Sequence, residues 1–312
     1  MPGPIKGVKV LELAQIMAGP TCGLMLADLG AQVIKIEKIP GGDDTRRFVP
    51  PDIKGEASAF MMMNRNKKGI AINLKEKDGI DIFKLMVKSS DVVIENYRKG
   101  TMDKLGIGYD ELKKINPKII LCEISGYGRT GPYADKGGFD LVAQGMSGLM
   151  SITGESREKP PMKVGAPLTD ITAGILGATG VLAALINRNK TGLGQRVDTS
   201  LYEAGIIHTY WQSAIAVATG NSPGPLGSAH PLTAPYQAFK TKDNWITVGA
   251  SNQNTWLKLI KAINKEELQE DPKFNNNDNR MKNLNELVKV IQVELQKKKS
   301  DEWIKIFDKA GL

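Results

Sequence analysis

The first 200 residues alternate short apolar runs, rich in Val and Ile, with longer stretches that have helical periodicity. Short β-branched runs bounded by polar residues and glycines predict strands, and the longer periodic stretches predict helices. Strands that alternate with helices are typical of a parallel sheet with crossover helices. The runs that predict strands are VKVLELA, QVIKIEK, GIAINLK, DVVIENY, KIILCEISGYG and GQRVDTSL. We therefore predict an α/β fold whose large domain is Rossmann-like.

The later part of the chain predicts a linker and a smaller domain. Residues 202–218 predict one helix, and residues 219–235 contain four prolines and three glycines, which prevent regular structure. Beyond them, YQAFKTKDNWITVGA predicts a hairpin, and Lys-rich helices follow. We predict a large domain over 1–218, a linker over 219–235 and an α+β small domain over 236–312.

Composition excludes several classes of protein. Hydrophobic residues make up 41% of the 312 residues and charged residues 24%, as in an ordinary globular protein. We expect no membrane span, because no apolar run approaches roughly 18 residues, and no signal peptide, because charges interrupt the N-terminal segment. We therefore expect a cytoplasmic protein. Two histidines and two cysteines cannot build a metal site at the usual spacings, so we expect no metal and two buried thiols.

The net charge of +8 and a pI near 9.2 suit an anionic partner. The candidates are nucleic acid, a membrane surface and a phosphorylated small molecule. The basic residues are scattered, however, and the densest run, QKKKSDEW, is typical of the solvated end of a helix. We therefore expect no nucleic-acid partner and no membrane partner.

Two common phosphate-binding motifs are missing after the first predicted strand. The first predicted strand leads into AQIMAGPTCG rather than GxGxxG, which argues against a dinucleotide enzyme. A Walker A sequence does not occur either. A carboxylate, Asp170, instead stands in PLTDITAG, just before a long and almost uncharged stretch. Such an acid either caps a helix or reacts with a substrate, and the string alone favours the cap.

A set of collinear strings carries a family resemblance over nearly the whole chain. They are AGP, ADLGAQVIKIEK, GGDDTR, NRNKKGIAINLK, ENYRKGTMDKLGIGYDEL, SGYGRTGPYADKGGFD, GAPLTDITAG, LINRNKTGLGQRVDTSLYEA and APYQAFKTKDNWITVGAS. In order and spacing they resemble the class III CoA-transferases, the family of formyl-CoA transferase and carnitine CoA-transferase. The α-methylacyl-CoA racemases share that fold. The resemblance also implies a homodimer of two interlocked rings. Members of the family usually continue beyond the position of DKAGL through a proline-containing segment that returns to the large domain.

The resemblance implies a covalent role for Asp170. In the family, the matching aspartate carries the acyl group through a mixed anhydride and an aspartyl-CoA thioester, and no metal or redox cofactor takes part. The expected substrates are an acyl-CoA and a small free carboxylic acid. We expect the helix N-terminus to keep the Asp170 carboxylate ionised at neutral pH. The residues that the resemblance places around CoA are Met17, Ala18, Lys38, Ile72, Lys75, Asn96, Tyr97, Arg98, Lys104, Phe139 and Asp140.

Departures from the family pattern bear on the substrate and on two alternative functions. Met17 and Phe139 stand where formyl-CoA transferase has glutamine and tyrosine, so we expect an acid that is larger or less polar than oxalate or formate. A racemase needs an acid and a base on opposite faces of the substrate carbon. Phe139 and Asn252 replace the histidine and glutamate of racemases and cannot supply them. A CoA-binding relative without catalysis is the other alternative.

Overall fold

The computed structural model describes residues 3–312 and contains ten strands. In chain order, the strands are β1 (Lys9–Glu12), β2 (Gln32–Glu37), β3 (Asp52–Ile53), β4 (Glu56–Ala57), β5 (Lys67–Ala71), β6 (Val92–Glu95), β7 (Ile120–Ser125), β8 (Arg196–Ser200), β9 (Tyr236–Lys240) and β10 (Trp245–Gly249).

Thirteen α-helices occur in the same residues. They are α1 (Ala18–Asp28), α2 (Ser58–Asn64), α3 (Lys77–Val87), α4 (Thr101–Lys104), α5 (Tyr109–Ile115), α6 (Asp140–Met146), α7 (Leu168–Thr191), α8 (Leu201–Ile207), α9 (Tyr210–Thr219), α10 (Gln253–Ala262), α11 (Asn277–Lys282), α12 (Leu284–Leu295) and α13 (Ser300–Ala310). Short 3-10 turns cover Asp44–Arg47, Met150–Ile152 and Glu266–Gln269.

Six parallel strands form the main sheet in the order β5-β2-β1-β6-β7-β8. The chain builds outward from β1 to β5, then returns to the other side of β1 and continues to β8. The direction of winding therefore reverses between β1 and β6. This is the strand order of a Rossmann-like sheet, and ligands of such sheets bind beyond the carboxyl ends of the strands where the winding reverses. The predicted α/β fold is confirmed.

Both faces of the sheet are covered, which explains why its central strands are continuously apolar. On one face, side chains of β1 and β6 pack with α1 and α7 in a cluster that includes Val10, Cys22, Ile94 and Val181. On the other, Phe83 of α3 and its neighbours pack against the alternate side chains of the same strands. Cys22 and Cys122 are buried free thiols, as predicted. The pKa of Cys22 is raised, mainly by its hydrogen bond with Cys122 and next by burial.

Helix α7 corrects one expectation from the sequence. By length and composition it could cross a bilayer, although we expected no apolar run of that size. Core helices of soluble proteins have the same character, and one side of α7 packs into the core beside α1. The side of α7 that faces α1 is built of small residues, because the two helices approach closely there. A Cβ on Gly174 would lie only 2.6 Å from the carbonyl oxygen of Ala18. The buried residues of α7 are Thr169, Ala173, Gly174, Gly177, Ala178, Val181, Ala184 and Leu185.

Two predicted elements differ from the structure. The single helix predicted over residues 202–218 is two helices, α8 and α9, because Thr209 takes a non-helical conformation between them and its hydroxyl bonds with Ser213. Strand β5 begins at Lys67 rather than Gly69. Lys67 reads as a polar residue before the strand, but Glu12 pairs with its ammonium group and its side chain is 1% exposed.

By compactness, the described chain divides into two units, residues 3–151 with 162–223 and residues 152–161 with 224–312. The second unit holds the antiparallel β9–β10 hairpin and helices α10 to α13. The predicted hairpin is confirmed, and it packs Phe239 into a core with Trp256 and Leu287. Between Thr219 and Tyr236 the chain forms neither helix nor strand. The segment 152–161, which the sequence placed in the large domain, belongs to the second unit.

Candidate active site

Two pockets open at the carboxyl edge of the main sheet, one on each side of the point where the winding reverses. Pocket A encloses about 380 Å³ beside the ends of β1, β2 and β5. Its walls are Leu13, Ala14, Gln15, Lys35, Ile36, Glu37, Lys38, Ile39, Pro40, Gly42, Asp43, Ile72, Asn73, Leu74, Lys75, Tyr97, Thr101 and Leu105.

Pocket B encloses about 280 Å³ beside the ends of β1, β6 and β7. Its walls are Gln15, Ile16, Met17, Ala18, Asn96, Tyr97, Arg98, Lys99, Ile124, Ser125, Gly126, Ala134, Lys136, Gly137, Gly138, Phe139, Asp170 and Leu201. Gln15 and Tyr97 line both pockets, so one extended ligand could occupy pocket A and reach into pocket B.

The structure brings most of the predicted site residues to these walls. Predicted residues on pocket A are Lys38, Ile72, Lys75 and Tyr97. Predicted residues on pocket B are Met17, Ala18, Asn96, Tyr97, Arg98, Phe139 and Asp170. Two are on neither wall: Lys104 ends helix α4, and Asp140 begins helix α6.

Asp170 is the third residue of α7 and faces pocket B. The N-cap position belongs to Pro167, whose side chain cannot cap, so Asp170 does not occupy the position that the capping hypothesis requires. Burial and then the neighbouring Asp140 raise the pKa of Asp170 to about 7. The expectation that the helix N-terminus keeps it readily ionised is therefore wrong in direction, because desolvation and a like charge outweigh the dipole of the helix.

Asp140 supplies the cap that Asp170 does not. One of its carboxylate oxygens accepts hydrogen bonds from the backbone N–H of Thr169 at 2.9 Å and from its hydroxyl at 2.7 Å. The other accepts from the side-chain amide of Gln144 at 2.7 Å. Asp140 thus ties α6 to the first turn of α7. The Asp170 carboxylate has no hydrogen-bond donor among residues 3–312, so its oxygens face the pocket.

The wall between the two pockets is fixed by an exchange of hydrogen bonds. The backbone N–H of Gln15 donates to the side-chain oxygen of Asn96 at 3.0 Å, and the amide group of Asn96 donates to the Gln15 carbonyl at 2.8 Å. This pair joins the loops that follow β1 and β6, across the reversal point. Burial raises the pKa of Tyr97 to about 12, so its hydroxyl stays protonated at neutral pH.

Cationic side chains surround both pockets. The ammonium group of Lys38 lies 2.8 Å from Asp44 and 3.4 Å from the side-chain oxygen of Gln15. Lys75 lies on pocket A, and Arg98 lies on pocket B with two further lysines, Lys99 and Lys136. Such a set of cations suits an anionic ligand, as the net charge predicted. Among residues 3–312, no cluster of three His, Cys, Asp or Glu side chains could hold a metal ion.

A family model described as CoA-transferase family III matches residues 5–312. The chain belongs to CoA-transferase family III. The family resemblance found in the sequence is therefore confirmed. The succinyl-CoA:glutarate CoA-transferase of Mus musculus is 38% identical over 309 residues, 99% of this chain and 71% of the relative. The acetyl-CoA:oxalate CoA-transferase of Acetobacter aceti is 36% identical, over 99% of this chain and 79% of the relative.

Solved structures agree with this assignment. A CAIB/BAIF family protein from Brucella suis matches with a TM-score of 0.88 and 38% identity, over 100% of this chain and 83% of that one. The orthorhombic crystal form of Rv3272 from M. tuberculosis matches with a TM-score of 0.88 and 31% identity, over 100% and 83% of the two chains. A family III fold is thus shown by sequence and by structure.

Several pocket residues of this family III chain were not predicted from the sequence. They include Gln15, Ile16, Asn73, Lys99, Lys136 and Leu201. Gln15 and Ile16 have a signal that could have found them, because they directly follow the predicted strand VKVLELA. Asn73 and Leu201 fall among the last residues of the predicted strands GIAINLK and GQRVDTSL. In a parallel sheet, the residues that follow the strands meet at one edge. Lys99 and Lys136 lie further along their loops, and no pattern in the sequence distinguishes them from the other surface lysines.

Proposed function

We propose that this chain moves CoA from an acyl-CoA to a free carboxylic acid, with Asp170 as the covalent carrier. The observation that carries the proposal is the carboxylate of Asp170, which faces pocket B while Asp140 caps the helix. Membership of CoA-transferase family III and the names of the relatives support the overall reaction. The covalent route is our inference from the site and from the chemistry of acyl transfer.

The proposed reaction begins when an Asp170 oxygen attacks the thioester carbonyl of the donor. The C–S bond breaks, CoA leaves as the thiolate and a mixed anhydride remains on Asp170. The thiolate then attacks the aspartyl carbonyl, which releases the donor carboxylate and leaves an aspartyl-CoA thioester. The acceptor carboxylate attacks this thioester, its C–S bond breaks, CoA leaves again as the thiolate and a second anhydride forms. CoA thiolate finally attacks the acceptor carbonyl, which yields the new acyl-CoA and frees Asp170.

The raised pKa of Asp170 fits this role. Burial raises the pKa of the carboxyl group to about 7, so the group is more basic than an ordinary aspartate and a stronger nucleophile once it is ionised. At slightly alkaline pH, most of the protein carries the ionised form. The burial that raises the pKa also keeps water away from the carboxylate, and this protects an anhydride on Asp170 from hydrolysis.

Pocket A is the proposed site of the nucleotide part of CoA. Lys38 and Lys75 provide cations for its phosphates, Ile72 provides an apolar surface, and Arg98 stands at the adjoining loop. The wall shared by Gln15 and Tyr97 would let the pantetheine arm pass into pocket B. The relatives named for glutarate and oxalate make dicarboxylic acids the first acceptors to test. Met17 and Phe139 favour an acceptor larger than oxalate.

We also propose that the chain works as a homodimer. Helix α9 is apolar, yet none of its residues is buried, and Val217 is 88% exposed. A second copy of the chain would cover this surface. Native mass spectrometry tests the proposal, since Val217→Lys should shift the wild-type dimer toward monomer while Val293→Lys on α12 should not. A wild-type protein that is monomeric at micromolar concentration would contradict it.

Mass spectrometry of the intact protein after incubation with a panel of acyl-CoAs tests the covalent route. Hydroxylamine or borohydride should trap an adduct on the peptide that contains Asp170, and Asp170→Asn should form none while keeping its affinity for CoA within about threefold. The wild-type adduct would also identify the donor. If CoA binds but no donor gives an adduct, the covalent proposal fails and the CoA-binding alternative is favoured.

A further inference from the structure

Four buried charges form a chain beneath the loop that joins β1 to α1. The ammonium group of Lys67 lies 2.8 Å from one oxygen of Glu12, and that of Lys35 lies 2.9 Å from the other. Lys35 also lies 2.8 Å from an oxygen of Asp43. All four side chains are 3% exposed or less. Because burying ion pairs adds little net stability, their contacts with the loop are the informative feature.

Two of these groups bind backbone carbonyls, one within the loop and one in the first turn of α1. Lys35 donates a hydrogen bond to the carbonyl of Ala14 at 2.8 Å, and Lys67 donates to the carbonyl of Pro20 at 2.8 Å. Lys67 is also bonded to Asn64 at 3.0 Å. The loop between these carbonyls lines both pockets. The chain of charges therefore holds the backbone of this pocket wall in place through these hydrogen bonds.

Asp43 holds the centre of the loop. Its Oδ1 atom accepts a hydrogen bond from the backbone N–H of Ile16 at 3.1 Å, and the N–H and hydroxyl of Thr45 each donate to the same atom at 2.9 Å. Ile16 has φ of 68°, a left-handed conformation that is rare for a β-branched residue. Such a conformation persists only where the surroundings enforce it, and it occurs most often at functional sites.

We infer that Asp43 is a positioning residue, whose carboxylate holds the Ile16 peptide in its left-handed conformation and thereby places Gln15 and Met17 on the pocket walls. Without this acceptor, Ile16 would relax toward a negative φ, and the residues on either side of it would turn away from Asp170. The inference rests on the proposed function, because its consequence is measured as CoA transfer. It gives a role to the strings GGDD and NRNKK, which the covalent route leaves unexplained.

The first test is Asp43→Ala, measured in two ways. Steady-state kinetics should show a 10- to 100-fold fall in kcat, because the loop on either side of Ile16 would no longer be held against the pocket that Asp170 faces. Amide hydrogen exchange, which needs no turnover, should be at least 10-fold faster at the Ile16 amide. A kcat within twofold of wild type, or unchanged exchange at Ile16, would overturn the inference.

Rescue separates positioning from a general loss of stability. Glycine adopts a positive φ without the steric cost that isoleucine has. In the Ile16→Gly background, therefore, the fold-decrease in kcat caused by Asp43→Ala should be at least five times smaller than the fold-decrease it causes in wild type. A fall of equal size in both backgrounds would mean that Asp43 acts only on stability, and would overturn the inference.

Asp43→Asn provides a second route if Asp43→Ala does not fold. The amide oxygen is a neutral and weaker acceptor, so kcat should fall by three- to tenfold and Ile16→Gly should reverse at least half of that fall on a logarithmic scale. A kcat equal to that of wild type would overturn the inference. Wild-type protein in the same assay keeps the two proposals apart, since an inactive wild type refutes the proposed function and leaves the exchange measurement to decide the role of Asp43.

Discussion

Asp140 and Asp170 lie side by side at the N-terminus of α7, and only Asp140 is bound into the helix end. Asp140 accepts the hydrogen bonds of Thr169, while its negative charge helps to raise the pKa of Asp170. The two roles that an acid at a helix N-terminus can have are thus divided between two residues. The capping residue comes from a different helix and adds, after burial, to the raised pKa of the residue that faces pocket B.

Asp140→Asn should lower the pKa of Asp170, because the substitution removes a neighbouring negative charge and keeps an oxygen that can accept from Thr169. If Asp170 must be ionised to attack, the acidic limb of the kcat/KM profile should lie near pH 7 in wild type and at lower pH in the variant. Glu95 also has a pKa raised to about 7, mainly by burial, so ionisation of Glu95 would give a limb at the same pH. A limb that moves in the Asp140→Asn variant is therefore assigned to Asp170. A limb that does not move would assign it elsewhere.

The stability of Asp170→Asn should depend on pH with a definite sign. The pKa of Asp170 rises on folding from 3.8 to about 7, so the folded state binds the proton more tightly than the unfolded state. The stability from this difference is complete below about pH 4 and is lost as the pH rises through 7. The melting temperature of the variant minus that of wild type should therefore increase between pH 5 and pH 8. Asp135→Asn, at an 89% exposed side chain, is the control and should show no such trend.

Lys75 and Lys104 were both predicted to contact CoA, but only Lys75 lies on a pocket wall. Lys75→Gln should weaken CoA binding by about fivefold, the effect of one exposed charge on a phosphate of the ligand. Lys104→Gln should change the dissociation constant by less than twofold. Isothermal titration calorimetry at two salt concentrations distinguishes them, because the Lys75 effect should shrink at high salt. Equal losses would place the nucleotide nearer α4.

Gly174→Ala should destabilise the protein by about 2–3 kcal/mol, since its new Cβ would lie 2.5 Å from the Cβ of Thr21 and 2.6 Å from the Ala18 carbonyl oxygen. Gly145→Ala in α6 is the matched control. Its nearest neighbour would be the sulfur of Met150 at 3.7 Å, so we expect no loss and a gain of up to about 1 kcal/mol. Thermal denaturation compares the two variants. Similar melting temperatures would show that α1 and α7 can separate at no cost.

The parts of the structure that follow from local pattern were predicted, and the parts that depend on distant partners were not. The alternation of strands and helices predicts the parallel sheet, and collinear strings predict the family. Lys67 was assigned to the wrong element because Glu12, 55 positions away in the chain, neutralises it inside the core. The positive φ of Ile16 has no local signal either, since isoleucine does not favour it and Asp43 enforces it from 27 positions away.

Among the described residues, pockets A and B have only Gln15 and Tyr97 in common. Under the proposed function, recognition of CoA and choice of the acid therefore depend on largely separate surfaces of one fold. Changes on the rim around Met17 and Phe139 could redirect the enzyme to a new acid while its hold on CoA stays intact. Gln15 and Tyr97 are the positions where such a redesign would meet its limit, because any change there alters both halves of the substrate site together.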